Sequence, residues 1–262
     1  MILAEEWREA VIALAREAAT EILAVYDGEF AVEHKDDRSP LTAADLASHR
    51  CIVSGLRALT PDIPVLSEES RAIDIAERRR WATFWLVDPL DGTREFIKRN
   101  GEFTVNIALI EDGVATFGVI QQPVTGALWH GTPRHGAYRR DGDDEVAIQV
   151  RKPAQPPLRI AASRSHRDAR TQALLDALDG EAVACGSSLK FCRIADGGID
   201  LYPRFGPTGE WDTAAGQAIV EAAGGAVLDP RGRPLRYNQR ETLLNGDFLA
   251  FGDVTLREVL PA

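Results

Sequence analysis

Cysteine is scarce in this sequence. Three cysteines, Cys51, Cys185 and Cys192, occur among 262 residues, and no two of them form a CxxC pair. An odd number of widely spaced cysteines argues against both a disulfide framework and a zinc knuckle. We therefore expect three reduced thiols.

Long apolar runs are also missing. No stretch approaches the ~18 apolar residues of a membrane-spanning helix, and the first residues contain no basic segment that leads into an apolar one. These absences favour a cytoplasmic protein. They leave open a peripheral association with the inner membrane.

Positive charge is in the minority. The chain has 30 Lys and Arg against 40 Asp and Glu, which gives a formal net charge of −10. This balance argues against a nucleic-acid polymer as partner, because such binding takes most of its affinity from basic side chains that neutralise phosphates. An anionic small substrate would need local positive charge, which bound divalent cations can supply.

Motifs of several common enzyme classes are absent. The sequence contains no GxxxxGK[ST] phosphate loop and no GxSxG nucleophile elbow, so ATP hydrolysis and serine hydrolase chemistry lose their usual support. The five histidines are scattered, and His130 and His135 lie in a loop-like Gly/Pro segment. That spacing argues against a histidine zinc site.

The signals that are present alternate between helix and strand. Apolar residues at three- and four-residue steps predict a helix over 3–25, and Thr42 is placed to cap a second helix that ends near Leu59. Strands are predicted over 65–67, 81–87 and 158–162, with a hairpin over 104–124 and helices over 168–178 and 211–223. This order predicts an α/β protein.

Carboxylates stand at the ends of the predicted strands and the starts of the predicted helices. Asp88 and Asp91 are three residues apart in a proline-stiffened turn, Glu68 follows another strand, and Asp212 begins a helix. Magnesium prefers oxygen ligands, usually one or two carboxylates with water and a substrate phosphate. The acids therefore predict one metal cluster. The alternative is that Asp88 only ends a strand and Asp91 only caps the next helix.

Four ordered segments resemble the inositol-monophosphatase superfamily. Residues 88–93 (DPLDGT) are similar to its DPxDGT signature, and residues 211–216 (WDTAAG) to its WDxAAG signature; residues 39–45 (SPLTAAD) and the pair Glu68-Glu69 are similar to the two remaining segments. The resemblance implies an αβαβα sandwich in one catalytic domain, residues 1–262. Its N-terminal half would cover about 1–155 and its C-terminal half about 156–262.

The resemblance also implies roles for site residues. Two Mg²⁺ ions would be ligated by Glu68, Asp88, the Leu90 carbonyl, Asp91 and Asp212. Asp45 and Thr93 would hold the attacking water, with Glu68 also part of the catalytic set, and the backbone N–H groups of Gly92 and Thr93 would bind the phosphate. Several of these residues, namely Glu68, Leu90, Asp91, Gly92, Thr93 and Asp212, would contact substrate as well.

Flanking residues are closer to one branch of the superfamily. Segments 93–104, 186–192 and 201–207 resemble the bacterial bisphosphate nucleotidases. That likeness implies hydrolysis of phosphoadenosine phosphate, a by-product of sulfate assimilation, to AMP and phosphate. Lys190 and Arg204 would then lie near the second phosphate of the nucleotide, unless both are simply solvated surface charges. Residues 163–166 are a weaker candidate for the same pocket, and Phe205 either stacks on adenine or fills the core.

Small departures and rival functions qualify this expectation. Arg94 stands where these nucleotidases often have Lys, and Ser70 stands where an acidic residue is frequent, so fine substrate preference is open. The rivals are a phosphatase of inositol or histidinol monophosphate, and a catalytically silent subunit that senses a metal or a nucleotide. A homodimer is also left open.

Overall fold

The structure is a computed structural model that describes residues 3–34, 40–70, 73–162 and 168–260. The predicted segment 163–166 and Ser39 therefore lie outside the described residues. Among the described residues, no helix is long and apolar enough to cross a membrane. The helices are α1 Leu3–Tyr26, α2 Ala43–Leu59, α3 Ile75–Arg78, α4 Thr93–Ile97, α5 Ala169–Ala177, α6 Leu189–Ala195, α7 Glu210–Ala222 and a 3-10 helix at Val254–Val259.

The strands of the first half form one large sheet. A small antiparallel pair precedes it, β1 Val32–His34 and β2 Pro40–Thr42. The sheet has seven strands in sequence order, with the first two parallel and the others antiparallel. They are β3 Val65–Ser67, β4 Thr83–Asp91, β5 Thr104–Glu111, β6 Val114–Gln121, β7 Leu128–Thr132, β8 Gly136–Asp141 and β9 Asp144–Ile148.

The second half contributes a five-stranded mixed sheet. Its strands, in chain order, are β10 Arg159–Ala162, β11 Glu181–Ala184, β12 Leu201–Arg204, β14 Ala226–Leu228 and β16 Phe248–Phe251. In space the order is β11-β10-β12-β16-β14. A short antiparallel pair, β13 Thr208–Gly209 and β15 Leu244–Asn245, lies beside the start of α7.

Alternating side chains of β4 explain how the layers stack. Trp85 and Val87 pack with α1 and α2 on one face of the large sheet, whereas Phe84 and Leu86 pack with α6 and α7 on the other. A strand that is covered on both faces is apolar throughout, as in this segment. The second sheet covers α6 and α7, and α5 covers its outer face. The predicted αβαβα sandwich is confirmed.

Helix α7 lies very close to the large sheet. A Cβ at Gly118 of β6 would stand 2.4 Å from the carbonyl oxygen of Ala215, so only glycine fits beneath the helix. This contact fixes the height of α7 over the sheet. As a result, the first turn of the helix, with Asp212, reaches the end of β4.

Most of the predicted elements are present. The helices over 3–25 and 43–59 are confirmed, and Thr42 caps the second with a capping box to Asp45. The hairpin turn is confirmed by positive φ angles at Asp112 and Gly113. The sequence predicts a loop at His130, and this prediction is wrong, because His130 lies in β7.

The strand predicted over 81–87 has different bounds. Strand β4 continues to Asp91, and its register with β5 shifts between Asp88 and Asp91. Pro89 has no N–H to donate to a ladder, and prolines inside sheets are confined to edges and bulges. The register shift therefore lets β4 continue through Pro89 to Asp91, and it changes the direction of the acidic side chains of this segment.

Candidate active site

Three acids from different elements meet at one end of the large sheet. Glu68 directly follows β3, Asp88 lies in β4, and Asp212 is in the first turn of α7. Each offers an oxygen atom, and these oxygens all lie within 4.8 Å of one another. Parallel pairing of β3 with β4 carries the first two acids to the same edge.

Burial and mutual repulsion act on the carboxyl groups of this cluster. Asp88 is only 1 % exposed. Burial and the negative charges of Glu68, Asp91 and Asp212 raise the pKa of Asp88 well above its ordinary value. Burial and neighbouring carboxylates raise the pKa of Asp212 as well. Because like charges so close together cannot all ionise without help, the site favours either bound protons or bound cations.

Asp91 is tied to the second half of the molecule. Its Oδ2 accepts hydrogen bonds from Ser187 Oγ at 2.7 Å and from the backbone N–H of Ser188 at 2.6 Å. The same bulge lets Asp88 Oδ1 accept from the N–H of Leu90 at 3.0 Å. These contacts orient both carboxylates of the DPLDGT segment.

Asp45, which is buried, and Thr93, which is partly buried, are joined by a hydrogen bond. Thr93 Oγ1 donates to Asp45 Oδ1 at 3.2 Å, while Asp45 Oδ2 accepts from the N–H and the hydroxyl of Thr42, each at 2.7 Å. Asp45 is 2 % exposed. The capping box at the start of α2 therefore fixes the position of the Asp45 carboxylate, which accepts the hydrogen bond from Thr93.

The turn before Thr93 requires glycine. Gly92 has φ of +91°, and a Cβ there would lie 3.2 Å from the Glu102 carbonyl oxygen. Glycine adopts this conformation without the steric cost that other residues incur. It directs the chain from Asp91 into α4, where the first N–H groups have no intrahelical acceptor.

A cavity of about 450 Å³ opens over this end of the sheet. Asp91, Gly92, Asp212, Lys190 and Arg204 all line it. Lys190 Nζ donates to the Ser187 carbonyl at 3.0 Å and lies 5.2 Å from the centre of the Tyr202 ring. The exposed Arg204 bonds Thr208 Oγ1 through Nε at 2.8 Å. Lys190 and Arg204 thus share one cavity with Asp91 and Asp212.

Other residues around the cavity were not singled out from the sequence. Ser187 and Ser188 lie in the segment whose likeness was noticed, but nothing local indicated that they hold Asp91. Phe205 lies elsewhere: it lines a separate cavity, and the Arg170 guanidinium stands 4.0 Å from its ring centre. Of its two expected roles, the adenine platform finds no support in this position.

The donor set suits a hard divalent cation. Carboxylate oxygens are ligands that Mg²⁺ and similar ions take, in contrast to the thiolates and imidazoles of zinc or copper sites. The repulsion among these carboxylates, which contributes to the raised pKa values of Asp88 and Asp212, gives a physical reason for a cation to bind. A bound cation restores both carboxylates to the charged form.

Comparison with known proteins identifies the family of this chain. A model of the inositol monophosphatase family matches residues 3–253. The 3′(2′),5′-bisphosphate nucleotidase CysQ of Salmonella typhimurium is 51% identical over 244 residues, 92% of this chain and 97% of the relative. The crystal structure of CysQ from Bacteroides thetaiotaomicron matches with a TM-score of 0.84 and 40% identity, over 96% of this chain and 98% of that one. A Thermotoga maritima IMPase shares the fold, with a TM-score of 0.81, 23% identity and coverage of 97% and 95%. The chain belongs to the inositol monophosphatase family.

Proposed function

We propose that this protein is a 3′(2′),5′-bisphosphate nucleotidase that hydrolyses 3′-phosphoadenosine 5′-phosphate to AMP and phosphate. The observation that carries this proposal is the single cavity that is lined by Asp91 and Asp212 together with Lys190 and Arg204. Identity of 51% to CysQ over 92% of the chain supports the same activity. A substrate with two phosphates fits a cavity with two kinds of phosphate site.

The acidic cluster would hold Mg²⁺. We assign as its ligands Glu68, Asp88, the Leu90 carbonyl, Asp91 and Asp212. Carboxylate oxygens of Glu68, Asp88 and Asp212 lie within 4.8 Å of one another, and Asp91 lines the adjoining cavity. When bound, divalent cations lower the pKa of water and neutralise charge on the attacking and leaving oxygens.

Asp45 and Thr93 would act on the nucleophilic water. The Thr93 hydroxyl donates its own proton to Asp45, so its oxygen is left as an acceptor. A water that donates to that oxygen has a lone pair free for phosphorus. Asp45 therefore orients the Thr93 hydroxyl and increases the basicity of its oxygen. In many active sites a base is oriented in this way by a hydrogen bond to a neighbouring group.

The remaining contacts would bind the ester. The N–H groups of Gly92 and Thr93 would bind the phosphate at the start of α4, because the first N–H groups of a helix have no intrahelical acceptor. Water attacks phosphorus in line, the bond from phosphorus to the ribose 3′ oxygen breaks, and that oxygen takes a proton. Lys190 and Arg204 would bind the 5′-phosphate as charged hydrogen-bond donors.

Both halves are needed for this chemistry. Asp91 and Thr93 come from the first half, whereas Lys190, Arg204 and Asp212 come from the second. We therefore propose that the two halves act as one catalytic domain on a small phosphorylated nucleotide.

Phosphate release from four substrates tests the proposal. The purified protein with Mg²⁺ is given phosphoadenosine 5′-phosphate, AMP, inositol 1-phosphate and histidinol phosphate at equal concentrations. We expect rapid release from the first only, because it alone can engage the acidic cluster and the two cations together. Comparable turnover of an inositol or histidinol ester would transfer the assignment to a monophosphatase, and no release from any would favour a silent subunit.

A further inference from the structure

Hydroxyl side chains connect the two halves of the molecule behind Asp91. Ser187 Oγ, which donates to Asp91 Oδ2, lies 2.7 Å from Thr104 Oγ1. Ser188 Oγ lies 2.7 Å from the same Thr104 oxygen and donates to Asn106 Oδ1 at 2.8 Å. Thr104 and Asn106 belong to β5, whereas both serines precede α6. Thr104 is fully buried, so it has no contact with a substrate in the cavity.

The donor inventory fixes the direction of these hydrogen bonds. An ionised carboxylate only accepts, so the Ser187 proton points to Asp91. The Ser187 oxygen is then free to accept from Thr104. Each hydroxyl has one proton, and that of Ser188 goes to Asn106 Oδ1, so the Ser188 oxygen is also left as an acceptor toward Thr104. Thr104 is therefore the donor that faces both serine oxygens.

Backbone packing holds the two segments at this distance. A Cβ at Gly186 would lie 3.0 Å from the Glu102 carbonyl oxygen, and one at Gly92 would lie 3.2 Å from Ser187 Cβ. No side chain larger than hydrogen fits at either place without displacing backbone or a neighbouring side chain. Close backbone packing at these two glycines thus keeps Ser187 and Ser188 next to the start of β5.

We propose that Thr104 is a positioning residue for the cation site. It fixes the hydroxyl of Ser187 and the position of Ser188, and these two groups hold Asp91 Oδ2. The inference rests on the proposed function, in which Asp91 is a cation ligand. It adds that cation affinity depends on a residue outside the cavity, and on the contact between the two halves.

Removal of one hydroxyl tests this role. Thr104→Val keeps the shape and loses only the hydrogen bonds. We expect its dissociation constant for Mg²⁺, measured by calorimetry without substrate, to rise roughly 10-fold, the lower end of the range for partners of metal ligands. The Mg²⁺ concentration for half-maximal activity should rise by the same factor. Thr104→Ser should restore both values.

Thr116→Val is the matched control. Thr116 lies on the adjacent strand β6, and its hydroxyl makes one long contact, 3.4 Å to the Leu109 carbonyl. The substitution is chemically the same and lies in the same sheet. We expect Mg²⁺ affinity to be unchanged.

A double-mutant cycle separates positioning from general structural damage. Ser187→Ala removes the donor itself and should weaken Mg²⁺ binding at least as much as Thr104→Val. The double mutant should lose less Mg²⁺ binding free energy than the sum of the two single-mutant losses, because Thr104 acts in part through Ser187. Additive losses, or wild-type affinity in Thr104→Val, would overturn the inference alone. A wild-type protein that binds no Mg²⁺ would overturn the metal assignment first, and the inference with it.

Discussion

Two groups of carboxylates in this molecule lie in opposite electrostatic environments. At the far edge of the large sheet, Glu9 of α1 and Glu145 of β9 both bond Arg140 of β8. Hydrogen bonding to Arg140 lowers the pKa of Glu9 to about 2. Burial opposes a decrease for Glu145, but hydrogen bonds from Arg140 and His130 still lower its pKa. Each acid there is matched by a cation of the protein itself.

The acids of the candidate site face one another instead. Burial and mutual repulsion raise the pKa values of Asp88 and Asp212. Ionised Asp and Glu side chains thus stabilise the folded protein at the edge of the sheet and destabilise it at the candidate site. The difference agrees with the proposal that the acids at the site bind a cation.

Asp91→Asn should have the largest effect on the site. The amide keeps the shape but loses the charge that we assign to cation binding. We expect turnover of phosphoadenosine phosphate to fall by roughly 10²–10³-fold or more, as when one group of a preorganised charged site is removed. Asp112→Asn, in the exposed hairpin turn, is the control and should turn over normally. Near-normal activity of Asp91→Asn would refute its role.

Lys190→Ala should have the next largest effect, on substrate binding. Loss of a charged hydrogen bond of about 1.5–3 kcal/mol corresponds to roughly 10–150-fold. We expect the KM for phosphoadenosine phosphate to rise in that range, while the KM for a simple monophosphate changes little. Equal losses on both substrates, measured in parallel, would remove Lys190 from the 5′-phosphate site.

Acid pH should weaken cation binding at the site. Because the pKa values of Asp88 and Asp212 are raised, both carboxyls bind protons at a higher pH than usual, and cations must displace them. The dissociation constant for Mg²⁺ should therefore rise as pH falls, up to about 10-fold per unit for each displaced proton. Calorimetry in buffers of different ionisation heat counts these protons. Affinity that is independent of pH would contradict the raised values.

Glu9→Gln should have the smallest effect. The Glu9 side chain is 60% exposed, so its ion pair is worth only about 0.2–1 kcal/mol. The folded pKa of about 2 lies below the ordinary 4.5, so this stability is present above pH 4.5 and disappears as pH falls through about 2. Urea unfolding of both proteins should show the difference near neutral pH only. Glu29→Gln, also exposed, is the control.

Local sequence signals were enough for part of this site. Glu68 and Asp212 stand at element ends, as the sequence predicts, whereas Asp88 lies within β4, where its register with β5 begins to shift. Thr42 and Asp45 form a capping box, which is encoded within four residues. The layered fold followed from the family resemblance, and the alternation of helix and strand signals agreed with it.

Other features depend on long-range packing that no local pattern encodes. The contact of Ser187 with Asp91 spans 96 positions, and its contact with Thr104 spans 83. The extension of β4 through Pro89 depends on a register shift against β5. Phe205 lines a different cavity, where the guanidinium of Arg170 in α5 lies over its ring. Each is decided by which elements meet, and only the folded molecule shows that.

Thermal unfolding with and without Mg²⁺ tests most directly whether the acidic cluster is built for cations. A buried carboxyl with a raised pKa lowers stability once pH exceeds its ordinary value, so at neutral pH without metal Asp88→Asn should unfold at a higher temperature than the wild type. Each kcal/mol recovered corresponds to roughly 2–4 °C for a chain of this size. Added Mg²⁺ should raise the Tm of the wild type and reverse the order. A wild-type Tm that does not respond to Mg²⁺, or a metal-free Asp88→Asn that is less stable than the wild type, would contradict the account.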